Sequence, residues 1–362
     1  MSERVFNFNP GPATLPLPVL EEAQRQLLNF NDTGMSILEI SHRSKEYEAI
    51  NSEAESLLKE LLGVPDNYRV LFLQGGASTQ FAAIPLNLLP EGSTADYILT
   101  GSWAEKAYQE GGKFGEVHVA ASTKEDNYKR IPKESEIKLS SSPAYVHLCS
   151  NNTIFGTQWQ EFPDLGSTPL IADMSSDILS RQFDPAKFAL IYAGSQKNLG
   201  PAGVTVVIIR KDLIDQSNSD IPTMLRYSIH AKNDSLYNTP PVFAVYMVHL
   251  VLKWIKDNGG LGVMEARNRE KAGYIYQAID ESNGFYKGHA DKDSRSIMNI
   301  TFRLPSEELE KSFVSAATKQ GLVGLKGHRS VGGIRASVYN SMPLAGCQAL
   351  AQFMSEFQKS NS

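Results

Sequence analysis

Between residues 69 and 213, seven short apolar runs alternate with helical or turn-rich stretches: RVLFLQ, DYILTG, EVHVAAS, AYVHLCSN, PLIADMSS, LIYAGS and VTVVIIR. Strands separated by crossovers are the mark of α/β architecture, so these runs predict one mainly parallel, seven-stranded sheet. Ligands of such sheets collect at the carboxyl ends of the strands. The polar residues that close the runs are therefore the first candidates for a site.

The flanking segments follow a different grammar. A Pro/Gly-rich arm, Phe8-Asn9-Pro10-Gly11-Pro12-Ala13, leads into an amphipathic helix with Leu20, Ala23, Leu27 and Phe30 on one face. A second helix follows Ser44, with Tyr47, Ile50, Ala54, Leu57, Leu58 and Leu61 at helical spacing and Gly63 as its stop. After the sheet come an apolar helix over 242–256 and another helical stretch over 263–282, which bridges to a new unit. That unit reads as compact α+β. It holds a strand in SIMNITFRL, a helix over 307–320, a strand over 321–325, the strand GGIRASVYN and a last helix carrying Leu344, Cys347, Leu350, Met354 and Phe357. With 362 residues the chain exceeds one ordinary domain. The expected division is a large α/β domain over 16–258 and a smaller α+β domain made of 1–15 with 259–362.

Composition removes several classes of function. The charge of −5 supports no broad basic surface, so no nucleic-acid partner is expected. Cys149 and Cys347 are the only cysteines and lack metal-ligand spacing, which argues against a zinc site or disulfide framework. The first residues, Met1 to Asn7, carry no long apolar core, and no stretch reaches the roughly 18 apolar residues of a membrane span. The expectation is a cytoplasmic protein with no membrane partner and no metal.

Lys197 lies between the apolar runs Leu190-Ile191-Tyr192-Ala193 and Val204 to Ile209, inside the glycine-rich turn Gly194-Ser195-Gln196-Lys197-Asn198-Leu199-Gly200. Desolvation there lowers a lysine's pKa and leaves more free amine to attack a carbonyl carbon. The alternative is a lysine whose stem packs on the sheet while its charge reaches water. Asp173 ends the run Pro169-Leu170-Ile171-Ala172. A buried amine with a carboxylate at a strand end suits pyridoxal phosphate, which needs an amine for its aldehyde and an acid to keep its ring nitrogen protonated. Helix capping or a turn would explain Asp173 equally well. In Gln74-Gly75-Gly76-Ala77-Ser78, glycines follow a strand and open a helix whose N-H groups can hold a phosphate, although many such turns are plain connections. Trp103 can stack on the ring or sit in the core. Thr153 can bind the ring hydroxyl or serve the Asn151-Asn152 turn.

Taken together, these segments resemble the phosphoserine aminotransferases, fold-type I pyridoxal-phosphate enzymes of the class V aminotransferase group. The resemblance runs nearly end to end. It rests on FNFNPGPATLP, SHRSKEYE, QGGAS, ADMSSDILSR, AGSQKNLGPAG, the triplet Tyr237-Asn238-Thr239 before Pro240-Pro241, and GHRSVGGIRASVYN. It implies that Lys197 is the covalent anchor and proton carrier, that Asp173 pairs with the ring nitrogen and that Trp103 stacks on the ring. Ala77, Ser78, Thr153 and Gln196 are the further cofactor contacts it implies. Asn238 and Thr239 would reach the cofactor phosphate of a partner subunit, making a homodimer with shared active sites. Some members of the family carry arginine where this chain has Ser78, which leaves the phosphate cup with less positive charge.

The implied reaction is reversible transamination of 3-phosphohydroxypyruvate with glutamate, giving phosphoserine and 2-oxoglutarate in serine biosynthesis. The analogous 4-phosphohydroxy-L-threonine step of pyridoxine biosynthesis is permitted too. A substrate with a carboxylate at one end and a phosphate at the other needs two cationic clusters. Arg335 can clamp the carboxylate, and the pairs His42-Arg43 and His328-Arg329 suit the phosphate. Without a ligand, each His-Arg pair would read as a solvated turn. The rival readings are an alanine- or serine-glyoxylate type of aminotransferase, which has no use for those pairs, and a non-catalytic cofactor or phosphate binder.

Overall fold

The structure is a computed structural model and describes residues 4–361. Met1 to Glu3 and Ser362, at the ends of the expected small domain, lie outside the described residues. The chain opens with a two-residue strand, β1 (Phe6–Asn7), and two helices, α1 (Leu17–Gln26) and α2 (Lys45–Leu62). The Ser44 hydroxyl accepts the Tyr47 N–H at the start of α2, and Gly63 ends it in the left-handed conformation at φ 67°, so both signals in the sequence act as expected. Helix α1 is shorter than its pattern. Asn31 and Asp32 take positive φ, so Phe30 begins a separate 3-10 turn while staying buried in the core.

Alternating elements then build the sheet: β2 (Tyr68–Leu73), α3 (Gly76–Leu88), β3 (Thr94–Leu99), α4 (Ser102–Gly111), β4 (Glu116–Ser122), β5 (Pro143–Cys149), β6 (Leu170–Asp173), β7 (Leu190–Gly194) and β8 (Thr205–Arg210). All seven expected strands join in the order β2-β8-β7-β6-β5-β3-β4. Strand β8 alone runs antiparallel to its neighbours. The reason is length. Residues 195–204 between β7 and β8 are too few for a parallel crossover, which takes roughly a dozen residues or more. The carboxyl ends of β2, β3, β5, β6 and β7 thus share one edge with the start of β8.

Both faces of the sheet are buried, which explains why its strands read as unbroken apolar runs. Val70, Phe72, Val206 and Ile208 point to a core shared with α1 and α2, whereas Leu71, Leu73, Val207 and Ile209 point to a core shared with α3 and α4. Two short helices, α5 (Lys211–Asp215) and α6 (Tyr227–Lys232), precede the long helices α7 (Val242–Asp257) and α8 (Gly260–Asp280). Helix α7 packs on the face that holds α1 and α2. Leu261 and Met264 of α8 belong to that same core, but Ala272, Ile275 and Ile279 belong to a third core, so α8 spans both units.

The third core gathers β9 (Lys287–Gly288), β10 (Asn299–Arg303), α9 (Glu307–Lys319), β11 (Leu322–Val323), β12 (Ile334–Ser337) and α10 (Leu344–Asn361). Strand β10 pairs antiparallel with β12 and β9. The N-terminal arm belongs here too. Strand β1 pairs in parallel with β11, and Phe8 is fully buried among these residues. Among the described residues no helix is long and apolar enough to cross a membrane.

Candidate active site

The turn after β7 carries Lys197 to the edge where the strands end. Its ammonium donates to Thr153 Oγ1 at 2.7 Å. Lys197 faces a cleft yet lies deep in protein, and burial pulls its pKa down to about 8, against the opposing pull of the Asp173 charge. Asp173 closes β6 and is 8% exposed. Burial raises its pKa, while donors from Ser175, the Lys197 charge and the Tyr192 hydroxyl act to lower it. The Ser175 N–H reaches its Oδ1 at 2.9 Å. Among the described residues, Lys197 and Asp173 make no direct ion pair; the lysine points to Thr153 instead.

Thr153 joins two cations. Its carbonyl accepts a bond from Arg335 Nη1 at 3.0 Å. Arg335, on β12, is 6% exposed and its Nε has no partner. Trp103 stands in the first turn of α4, with its indole N–H buried and unpartnered. Gly101 before it is extended, so space rather than strain requires glycine there: a Cβ would lie 2.3 Å from Asn152 Oδ1. Ala77 and Ser78 sit in the first turn of α3, whose N-terminus has no side-chain cap. Its free N–H groups and positive dipole end favour an anion.

These residues line one cleft of about 310 Å³, at the lower end of the roughly 300–1,000 Å³ range of small-molecule sites. Gln196 and His328 line it as well. An amine of lowered pKa, a buried carboxylate, an indole and an uncapped helix start fit a planar aldehyde cofactor that carries a phosphate. Pro10 and Gly11 form part of the wall, a position that no sequence signal had given the arm. The Ala13 N–H bonds the Gln196 carbonyl at 2.9 Å, which lays the arm over the lysine turn.

Five expected residues stand outside that lining. Arg329 is exposed in a neighbouring groove beside Arg303 and Lys326, while His328 borders both spaces. His42 and Thr239 share a separate shallow groove. Arg43 is exposed, with its Nε 3.5 Å from His42 Nε2. Asn238 is half-buried next to Thr239, whose carbonyl accepts a bond from Gln74 at 3.2 Å. A single chain therefore brings together nine of the predicted residues and leaves His42, Arg43, Asn238, Thr239 and Arg329 apart. Sequence reasoning also missed Lys106, whose ammonium stands 4.4 Å from the Trp103 ring centroid. The three-residue spacing of Trp103 and Lys106 on one helix was the available signal.

The class-V aminotransferase family model matches residues 5–350. A phosphoserine aminotransferase of Geobacillus kaustophilus is 60% identical over 359 residues, 99% of each chain. Among solved structures, a phosphoserine aminotransferase from Bacillus circulans subsp. alkalophilus superposes with a TM-score of 0.98 at 60% identity, covering 100% of each chain. The pyridoxal-phosphate-bound phosphoserine aminotransferase of Trichomonas vaginalis gives 0.93 at 41% identity, covering 97% of this chain and 100% of that one. With a family match over nearly its whole length and identity of this order, the chain belongs to the class V aminotransferases and, within them, to the phosphoserine aminotransferase family, whose cofactor is pyridoxal phosphate.

Proposed function

We propose that the chain transfers the amino group of L-glutamate to 3-phosphohydroxypyruvate, giving O-phospho-L-serine and 2-oxoglutarate. One observation carries this reading. Lys197 and Arg335 converge on a single residue, Thr153, at 2.7 Å and 3.0 Å, with His328 lining the same cleft. An amine and a carboxylate clamp one residue apart suit an α-amino acid, and the imidazole adds a donor for a second anion. The name that the relatives share supports phosphate as that anion.

Pyridoxal phosphate, when bound, supplies a conjugated ring that accepts the electron pair left when the substrate's Cα–H bond breaks. The residues do the rest. Lys197 would hold the cofactor's aldehyde carbon through Nζ and give way to the substrate amine. As a free amine it would then take the Cα proton and deliver it to the cofactor's C4′. Asp173 would keep the proton on the ring nitrogen, Trp103 would stack on the ring and Thr153 would meet the ring hydroxyl. Ala77, Ser78 and Gln196 would hold the phosphate end. Arg335 would grip the carboxylate that every substrate carries.

His42, Arg43, Asn238 and Thr239 lie away from this chain's own cleft, which supports their service to the site of a partner subunit in a homodimer. Arg329 would serve the substrate phosphate together with His328, its neighbour in sequence, which borders both the cleft and the groove that holds Arg329. The division into a large domain over 16–258 and a small domain of 1–15 with 259–362 is supported by the separate cores and by the pairing of β1 with β11. We place the enzyme in the cytoplasm and assign it to serine biosynthesis, with 4-phosphohydroxy-L-threonine formation as a second activity.

A single-turnover absorbance assay tests the substrate. Phosphoserine and glutamate should convert the bound cofactor to its pyridoxamine form rapidly, and serine or alanine slowly, because either would leave the cations unmatched. Equal or faster conversion by alanine or serine would overturn the substrate and leave the role of Lys197 standing.

A further inference from the structure

Where the two units meet, three buried asparagines gather: Asn198 in the lysine turn, Asn268 on α8 and Asn340 just beyond β12. Amide side chains are costly to bury unless their donors and acceptors are met. Asn340 is fully committed. Its N–H bonds Asn198 Oδ1 at 3.0 Å, its Nδ2 donates to the Leu179 carbonyl at 2.9 Å, and its Oδ1 accepts from Asn268 Nδ2 at 2.8 Å. Asn198 Nδ2 donates to the Ile178 carbonyl at 3.1 Å, and Asn268 Nδ2 donates to the Ser180 carbonyl at 2.8 Å. Three consecutive carbonyls, of Ile178, Leu179 and Ser180, thus accept from three different asparagines. One turn along α8 from Asn268, Lys271 grips the Val338 and Tyr339 carbonyls as well.

The backbone at the centre of this cluster is itself unusual. Leu179 is fully buried and takes a left-handed φ of 60°, a conformation that costs a leucine free energy and persists only where its surroundings hold it. The cluster also joins the three elements that carry the candidate site. Asn198 follows Lys197 directly, the 178–180 segment leaves the strand that Asp173 closes, and Asn340 lies shortly beyond Arg335 on the same run of chain. Lys197 and Asp173 stand at the edge of the seven-stranded sheet, whereas Arg335 belongs to the three-stranded sheet of the small unit. The spacing of amine and clamp therefore depends on how the two units are joined. A substrate whose reacting carbon sits next to its carboxylate needs that spacing to be set closely.

We propose that Asn198, Asn268 and Asn340 are positioning residues, a bracket that fixes the distance from Lys197 to Arg335 before a substrate arrives. None of the three lines the cleft, so each acts through its neighbours. With the bracket in place, the small unit need not be ordered at the moment a carboxylate binds, and more of the binding free energy appears as affinity. The proposal rests on the reading of Arg335 as the carboxylate clamp.

The test is calorimetric titration of the pyridoxal-phosphate-loaded protein with 2-oxoglutarate, which carries the α-carboxylate but no amine to transfer, with thermal midpoints recorded in parallel. Asn340→Ala removes both side-chain bonds and should raise the Kd about tenfold, the scale of one or two lost hydrogen bonds. In an Arg335→Ala background the same substitution should add much less, because the asparagine acts through the arginine. Asn268→Leu keeps the bulk, removes two donors and should raise the Kd in the same direction. A lowered thermal midpoint with an unchanged Kd would mark a merely structural role and overturn the proposal. So would a rise of equal size with and without Arg335. Should Asn340→Ala fail to fold, Asn268→Leu carries the same comparison. Arg335→Ala separates the two readings: if it weakens binding while the asparagine variants are silent, only the bracket falls, and if Arg335→Ala is itself silent, the reading of Arg335 falls first.

Discussion

Burial of Lys197 should set how fast this protein captures its cofactor. At pH 7 an amine with a pKa of about 8 is roughly 9% unprotonated, whereas one at the ordinary 10.5 is about 0.03% unprotonated. The cleft thus enriches the reactive form about 300-fold. Two influences compete: burial lowers the pKa and dominates, while the negative charge of Asp173 opposes it most strongly. Asp173→Asn removes that charge with almost no change in shape, so Lys197 should titrate lower still. The assay is stopped-flow mixing of cofactor-free protein with pyridoxal phosphate between about pH 6 and 10. The uptake rate of the parent protein should rise through a midpoint near 8, and that midpoint should fall in Asp173→Asn. Below the parent midpoint the variant should therefore capture cofactor faster than its parent, although it retains it less well. A parent midpoint near 10, or an Asp173→Asn midpoint that does not move, would refute the electrostatic reasoning.

Arg335→Ala should lower kcat/KM for both glutamate and phosphoserine by roughly 10²–10³-fold, because both carry the α-carboxylate and a buried charge pair would lose one member; steady-state kinetics with each substrate checks this, and a loss confined to one of them contradicts the assignment. Lys271 is 2% exposed, donates to the Val338 and Tyr339 carbonyls at 2.9 Å and 2.6 Å, and has its pKa lowered by burial to about 7. Because the unfolded chain keeps that proton up to about pH 10.5 while the folded one releases it near 7, this residue makes stability rise with pH across that window. Denaturant melts of Lys271→Met at several pH values should show a flatter rise than the parent, and an identical slope would count against the burial argument.

The sheet was legible in the sequence because its strands are covered on both sides, which leaves unbroken runs such as Val206 to Ile209. The placement of Lys197 was legible because a short turn between two such runs falls at an edge of the sheet, where strands end. The antiparallel course of β8 was implicit in the short turn, but that constraint appears only once β7 and β8 are known to be neighbours. His147 and Tyr192 were hidden for the opposite reason. Each stands inside an apolar strand, where a lone polar residue reads as core packing, and only the stacking of β5, β6 and β7 in one sheet brings the two within 2.9 Å of each other. The arm at Pro10 and Gly11 was recognisable as an irregular segment, yet its seat over Lys197 depends on contacts with residues far along the chain. His42 and Thr239 were singled out as ligands, and their common groove, away from the cleft, is a matter of tertiary placement alone.

The seat of that arm has a consequence for how the enzyme comes into being. Phe6 and Asn7 leave the ribosome early, but their partners Leu322 and Val323 are made more than three hundred residues later. Until then this early-made segment has no strand to join, and Lys197 lies without its roof. Growth of the chain and closure of the catalytic cleft are thereby placed in a fixed order, with the cleft finished last, so a nascent or C-terminally shortened chain would hold a folded sheet and an open, unguarded lysine.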